Sequence, residues 1–291
     1  MKILWPSPSK INLFLYINNK RNDKYHNIQT LFQFLNFGDF IKIEINKTGK
    51  ICLSRSIKNI INKKNLVLKS ANLLKKYAIQ RNLLSKKDGA TILIKKKIPI
   101  GGGMGGGSSN AATTLIVLNF LWKINFSLKY LSYIGLQIGS DVPAFIIGKT
   151  AIVKERGNKI YPIKNKKTWY IIINPQIKIS TSKIFNKFKI KNQRNNLSIT
   201  KLMNYPFAND FEKIIRKKFK VIDKLINFMS NFGSSRLTGT GSCIFTKFDS
   251  KKKAIKTIKL IPNNIKSFLA YSTNYSILHK FLKSIKNKKL K

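Results

Sequence analysis

The residues best suited to chemistry form one run: Pro99, Ile100, Gly101, Gly102, Gly103, Met104, Gly105, Gly106, Gly107, Ser108 and Ser109, with six glycines in seven positions. Glycine lets backbone amides converge on an anion with no Cβ in the way. A helix starting straight afterwards adds free amides and the positive end of its dipole. Together these features make a cradle for phosphate. Gly and Ser also suit a flexible linker, yet a linker would not sit tightly between a strand and an amphipathic helix. Gly101, Gly103 and Gly106 satisfy G-x-G-x-x-G, a cheap match in such a run. No acid lies between Asp88 and Asp141 to hold a ribose, as a dinucleotide site would require. No Gly-Lys-Ser/Thr follows, which excludes a P-loop, and the absence of H-R-D and D-F-G excludes a protein kinase. A second candidate is Asp141, set between Gly139 and Pro143 in an otherwise apolar stretch. The chain has only ten acids, so this one is conspicuous, the bland alternative being a turn or cap aspartate.

The flanking elements must position these groups. Residues 90–94 read as a strand leading into Lys95–Lys97. Ala111, Leu115, Leu118 and Trp122 share one face of the helix that should follow, with Ser108 or Ser109 suited to cap it. Residues 40–45 alternate, with Ile41, Ile43 and Ile45 facing one way and Lys42 and Glu44 the other, as in a half-buried strand. Residues 11–17 predict a more buried strand and 169–173 another, ending at Asn174-Pro175. Leu66, Ser70, Leu73, Leu74 and Tyr77 follow helical spacing. Residues 212–232 predict one long amphipathic helix closed by Gly233, and 187–196 a polar loop. Strands near 243–245 and 268–271 flank a helix near 252–260. His279 has no motif around it and reads as a surface residue on the last helix, and 286–291 as a frayed end. Strands and helices without strict βαβ regularity indicate an α+β chain, with a domain change near 150–167.

The pattern P-x-x-x-G-M-G-G-G-S-S-N-A-A from Pro99 resembles the phosphate loop of the galactokinase, homoserine kinase, mevalonate kinase and phosphomevalonate kinase (GHMP) superfamily. Residues 7–15, from Ser7 through Lys10 and Asn12, match its first motif, and Gly239 to Phe245 its glycine-rich third motif. Lys10-Ile-Asn12-Leu, Asp23-Lys-Tyr25-His26, Leu31-Phe-Gln-Phe, Gly139-Ser-Asp141-Val-Pro143 and Arg236-Leu-Thr-Gly-Thr-Gly241 are similar to one branch, whose acceptor is a cytidine-diphosphate-linked methylerythritol. The resemblance covers almost the whole chain.

It implies a two-lobe α+β architecture with the site in the cleft. The N-terminal lobe would resemble the second domain of ribosomal protein S5 (residues 1–155, with the ATP loop), and the C-terminal lobe (156–291) would be ferredoxin-like. The implied activity moves the γ-phosphoryl of ATP to the 2-hydroxyl of the acceptor, giving the 2-phosphate and ADP, within non-mevalonate isoprenoid precursor biosynthesis. Asp141 would be the general base and Lys10 its partner. A buried lysine can hold such a carboxylate ionised and also stabilise charge on the transferring group. Asn12 would orient the acceptor, Tyr25 and His26 would contact its cytosine, Phe185 would form the opposing wall, and Thr181 would reach its diphosphate. Lys96 and Leu66 fall where the superfamily borders the adenine. Magnesium would arrive with ATP, there being no dedicated acidic metal cage, and would rest on phosphate oxygens, water and Ser108 or Asp141. Met104 stands where the superfamily usually has Leu, a volume-conserving change. Ser140 replaces the usual Ala and could donate a hydrogen bond to Asp141.

The 291 residues include 57 Lys and Arg against 10 Asp and Glu, a formal net charge of +47. Hydrophobic residues make up 43%, enough for a sizeable core, so the charge does not imply disorder. It invites a nucleic-acid reading, but 50 of the basic residues are Lys, spread along the chain, and only seven are Arg. Readers of nucleic acid usually exploit the Arg fork, so the charge is read as a solvated surface. Two alternatives stay open: another small-molecule kinase of the superfamily, and a basic nucleic-acid-binding protein. No stretch approaches the roughly 18–20 uninterrupted apolar residues of a spanning helix, and no leader pattern is visible. Cys52 and Cys243 form no metal-ligand pattern. The expectation is a reduced, cytoplasmic setting, with small-molecule partners and neither membrane nor specific nucleic acid.

Overall fold

The computed structural model describes residues 3–23, 25–55, 65–181, 184, 185, 188, 195–205 and 207–289. The loop expected at 187–196 lies almost entirely outside them. A long antiparallel hairpin, β1 (Leu4–Lys20) and β2 (His26–Asn46), forms the spine. β3 (Ile51–Leu53), α1 (Leu66–Ile79) and β4 (Gly89–Lys95) follow, β4 pairing antiparallel with β2 and parallel with β3. Next come α2 (Gly106–Leu121), α3 (Leu128–Leu136) and α4 (Val142–Ile147). β5 (Ala151–Glu155) then pairs with β2, and β6 (Lys159–Pro162) with β5. Alternation at 40–45 is real but ends early, because Ile45 is exposed.

The second half contains β7 (Trp169–Asn174), α5 (Ile199–Asn204), α6 (Glu212–Lys218), α7 (Lys220–Ser230), β8 (Ser235–Leu237), β9 (Ile244–Phe248), α8 (Lys251–Ile258), β10 (Lys266–Thr273) and α9 (Ile277–Lys289). Its strands lie in the order β10-β7-β9-β8, every pair antiparallel. Strand, helices, two strands, helix, strand in that order is the ferredoxin-like arrangement. β10 also pairs with β2 through Ser272↔Leu35 and Thr273↔Phe34, which joins the two sheets.

Three apolar clusters explain the patterning. Trp5, Phe32, Ile41 and Ile92 meet α1 to α4 in the first. Ile171, Ile173 and Ile244 meet Ile215, Ile222, Ile226 and Met229 in the second. The third lies between the sheets, where Ile11, Leu13, Phe14 and Leu31 face Tyr170, Ile172 and Phe245. β7 is therefore covered on both faces, Tyr170 and Ile172 towards one cluster and Ile171 and Ile173 towards another. That is why its sequence reads as an unbroken apolar run.

The structure corrects the helix boundaries expected from the sequence. The single helix expected at 212–232 is two, broken at Phe219 (φ −121°, ψ 88°). No Pro or Gly marks the break; Arg216 bridges it by pairing with Asp223 at 2.6 Å and Glu212 at 3.7 Å. Gly233 is not the helix cap, since α7 ends at Ser230 with Asn231 as its C-cap; a Cβ at 233 would instead press on the Lys247 carbonyl at 2.5 Å. α9 stays helical to Lys289, so the fraying expected from 286 is absent over 286–289.

His279 is a structural tie rather than a surface residue. Its Nε2 donates to the Ile146 carbonyl (2.9 Å) and its Nδ1 bonds Ser276 Oγ (2.8 Å), while its amide donates to Ser276 Oγ. Burial pushes this imidazole below its ordinary value of 6.5; the carbonyl bond opposes the shift and Lys149 adds to it. An unfolded chain therefore takes up a proton that the folded chain refuses. Stability present above about pH 6.5 is lost as the pH falls. Substituting His279→Gln is expected to flatten the decline of melting temperature as the pH falls below about 6.5; identical slopes for the two proteins would remove His279 as its cause.

Candidate active site

The two halves enclose a cleft of about 1100 Å³. Its floor is β1, where register irregularities between Pro8 and Lys10 and between Asn12 and Leu15 interrupt the pairing with β2. Such bulges re-aim side chains. Lys10 and Asn12, two residues apart, share one face of the strand and line the cleft. Lys10 is only 4% exposed. Its Nζ lies 3.4 Å from Asp141 Oδ2, donates to Asn12 Oδ1, and sits 5.4 Å from the centre of the Phe32 ring. Asn12 Nδ2 donates to Thr30 Oγ1 (2.8 Å), so the amide that orients Lys10 is itself fixed.

Asp141 occupies the N-cap position of α4 yet makes no capping bond with its side chain. The carboxylate is left for Lys10 and the cleft. Ser140 does not assist in the way the sequence suggested: among the described residues no hydrogen bond joins its hydroxyl to Asp141.

The glycine run closes the cleft from above. Gly101, Gly103 and Gly105 take positive φ of 73°, 76° and 72°. The Met104 carbonyl accepts from the Lys10 amide (3.2 Å) and the Gly102 carbonyl from the Cys243 amide (3.1 Å). Thr238 Oγ1 accepts from the Asn12 amide (3.1 Å) and donates to the Gly103 carbonyl (3.4 Å). The β8–β9 turn thus holds the loop against β1. A Cβ at Gly105 would lie 3.1 Å from Lys10 Cε, so the loop passes directly over the lysine. Helix α2 begins at Gly106 with Gly105 as N-cap, not at Ser108 or Ser109. The first-turn amides of Gly106, Gly107 and Ser108 have no carbonyl within the helix to receive them. Ser108 lines the cleft, whereas Ser109 is fully buried and bonds Ser7 Oγ at 2.9 Å; it is a tie between α2 and β1.

The remaining expected residues fall at two ends of the same cavity. Lys96 and Leu66 flank the start of α2, Lys96 Nζ lying 3.1 Å from the Cβ position of Gly106 and Leu66 Cδ1 3.5 Å from that of Gly107. Tyr25, His26, Phe185 and Thr181 form the other end. The His26 and Phe185 rings are 5.1 Å apart, and Phe185 also packs on Phe211 at 4.7 Å, so it serves both core and wall. Burial lowers the His26 imidazole's affinity for a proton and nearby Lys20 lowers it further, which favours a neutral ring. Thr181 Oγ1 shares a hydrogen bond with Thr240 Oγ1 at 2.9 Å.

Three residues escaped the sequence reading. Asp39, fully buried, pairs with Lys96 and accepts from the amides of Lys97 (2.7 Å) and Ile98 (2.8 Å) and from Asn110 Nδ2 (2.9 Å). It braces the strand end that launches the glycine run. Thr240 and Arg156 line the cleft. The scarcity of acids that singled out Asp141 points equally to Asp39. Cys243, buried beneath Gly102, has its thiol pushed up to about 12 by burial and is inert. Among the described residues no group of three or more His, Cys, Asp or Glu gathers as a metal cage, and no helix is long and apolar enough to cross a membrane.

Comparison with known proteins agrees with this geometry. The family described as GHMP kinases N terminal domain matches residues 65–149, and GHMP kinases C terminal matches 191–260. The 4-diphosphocytidyl-2-C-methyl-D-erythritol kinase of Buchnera aphidicola subsp. Acyrthosiphon pisum is 50% identical over 277 residues, 95% of this chain and 97% of that one. The kinase of the same name from Wigglesworthia glossinidia brevipalpis is 49% identical over 280 residues, 96% and 92% of the two chains. A crystal structure of 4-(cytidine 5'-diphospho)-2C-methyl-D-erythritol kinase superposes with a TM-score of 0.77 at 23% identity, covering 93% and 99% of the two chains. The mevalonate kinase of Methanococcus jannaschii gives 0.66 at 17%, covering 94% and 99%. These low-identity likenesses establish the two-lobe fold, whereas the high identity along nearly the full length carries the assignment: this chain belongs to the family of 4-diphosphocytidyl-2-C-methyl-D-erythritol kinases, within the GHMP kinases.

Proposed function

We propose that the chain transfers the γ-phosphoryl group of ATP to the 2-hydroxyl of 4-diphosphocytidyl-2-C-methyl-D-erythritol, a step towards isoprenoid precursors. The observation that carries the reading is the passage of the glycine loop over the Lys10–Asp141 pair. It puts a phosphate cradle beside a carboxylate able to take a proton. The loop amides and the start of α2 hold the ATP phosphates, with Lys96 and Leu66 bordering the nucleotide. Tyr25, His26 and Phe185 hold the cytosine, Tyr25 by stacking and neutral His26 by hydrogen bonding. Asn12 and Thr181 help orient the rest of the acceptor.

Phosphoryl transfer requires positioning and charge neutralisation more than covalent chemistry. The 2-hydroxyl oxygen forms a bond to the γ-phosphorus as the bond to the β-phosphate bridging oxygen breaks, and ADP leaves. Asp141 takes the hydroxyl proton. Lys10 keeps the carboxylate oriented and stabilises negative charge on the transferring oxygens. Ser108 and Asp141, a hydroxyl and a carboxylate that both line the cleft, would hold a magnesium ion brought by ATP, which would neutralise charge on the phosphate oxygens. A lobe boundary near residue 155 belongs to the same reading in chain order, with β6 and α9 returning to the first lobe, where β6 pairs with β5 and Leu278 joins the first apolar cluster. A coupled ADP-release assay tests it: rapid ADP release is expected with the cytidine-linked acceptor and little with homoserine or mevalonate. Equal turnover of all three would sink the acceptor assignment.

A further inference from the structure

Three Lys or Arg side chains line the cleft among the described residues: Lys10, Lys96 and Arg156. Two are committed, Lys10 to Asp141 and Asn12 and Lys96 to Asp39 and Asn110. Arg156 is not. Its guanidinium carbon lies 3.7 Å from the centre of the Tyr25 ring, and Nε is shut off from solvent with no hydrogen-bond partner. The neighbouring acids are engaged elsewhere. Asp23 holds Arg21 Nε (3.2 Å) and the Tyr25 amide (3.1 Å), and Arg156 acts on it only through its field. Glu155 holds Lys159 (2.7 Å) and Asn158 (3.0 Å). A screened donor without an acceptor is costly and calls for one.

The position of this arginine says which acceptor. Arg156 sits in the β5–β6 turn, and its ring contact is with Tyr25 at the nucleoside end. Its neighbour Gly157 packs so closely on the Ser140 carbonyl, next to Asp141, that a Cβ there would run into it. The turn therefore spans from the base-binding wall to the reacting carboxylate. In an acceptor that joins a nucleoside to a polyol, the linking diphosphate must cross this interval.

Resting on the acceptor reading above, we propose that Arg156 binds the phosphates of a nucleoside diphosphate, its forked donors on phosphate oxygens and its flat face kept on Tyr25. The test is equilibrium binding of cytidine 5′-diphosphate and of cytidine to the wild type, Arg156→Gln and Arg156→Lys. Arg156→Gln is expected to weaken the diphosphate about tenfold or more and to leave cytidine and ATP unchanged, while Arg156→Lys recovers part of the loss. In turnover, KM for the acceptor rises and kcat is nearly held. Equal weakening of cytidine and its diphosphate would make Arg156 a prop for Tyr25 and overturn the proposal, as would unchanged diphosphate affinity. A wild type that binds ATP but neither cytidine compound would overturn the acceptor reading itself, and this proposal with it.

Discussion

Replacing Asp141 with asparagine is expected to lower turnover by at least about a hundredfold while ATP affinity stays nearly intact. Asparagine keeps the shape of the side chain and its place at the start of α4, but it has no charge and no capacity to accept the hydroxyl proton. It also strips Lys10 of its acid. At 4% exposure that ammonium would retain, among the described residues, Asn12 Oδ1 and the Phe32 ring face, and a buried charge without its counter-charge is destabilising. Single-turnover ADP release, measured alongside ATP binding and melting temperature, separates the two consequences. Near-normal turnover would take the base role away from Asp141.

Substitution of Gly103 by alanine is expected to cost roughly a hundredfold in kcat/KM for ATP, the scale on which a displacement of about 1 Å disables a site. Two effects add. A side chain at φ 76° is strained by about 1–2 kcal/mol, and the new Cβ would run into the Thr238 carbonyl oxygen. Thr238 is the residue that joins the loop to the Asn12 amide, so relief of the clash moves the loop off the strand carrying Lys10. Gly101→Ala is the control. It shares the positive φ but has nothing within 4 Å of its Cβ position, so only the backbone strain remains. Equal losses in the two variants would mean that the contact with Thr238 does not position the loop.

Much of this arrangement is legible in the sequence, because its signals are local. Six glycines between a strand and a helix announce a cradle, and alternation or helical spacing announces β2, α1 and α2. What stays hidden depends on partners distant along the chain. The break at Phe219 has no Pro or Gly to announce it and is visible only once Arg216 is seen to bridge it. Ser109 looks like a cap until Ser7, more than a hundred residues earlier, takes its hydroxyl. Asp39 lies in a strand among apolar residues, and its four donors come from residues 96–98, just past β4, and from α2. His279 has no neighbouring motif because its partner is the carbonyl of Ile146. Arg156 is one of only seven arginines, and no motif surrounds it because its partner is the ring of Tyr25, more than a hundred residues earlier.

The return of α9 to the first strands sets an order of events during synthesis. Leu278, 1% exposed, belongs to the same core as Trp5 and Phe32, and the Phe281 ring lies edge-on to Trp5 at 5.8 Å. β10, made just before it, joins β2 to β7. As the polypeptide leaves the ribosome, the glycine loop and the Lys10 strand emerge early, but the scaffold beneath them stays open until residues 266–289 arrive. Contacts of such long sequence separation close slowly. The nascent kinase must hold an unfinished core with unpaired strand edges for most of its translation, the interval in which an emerging chain is most exposed to aggregation.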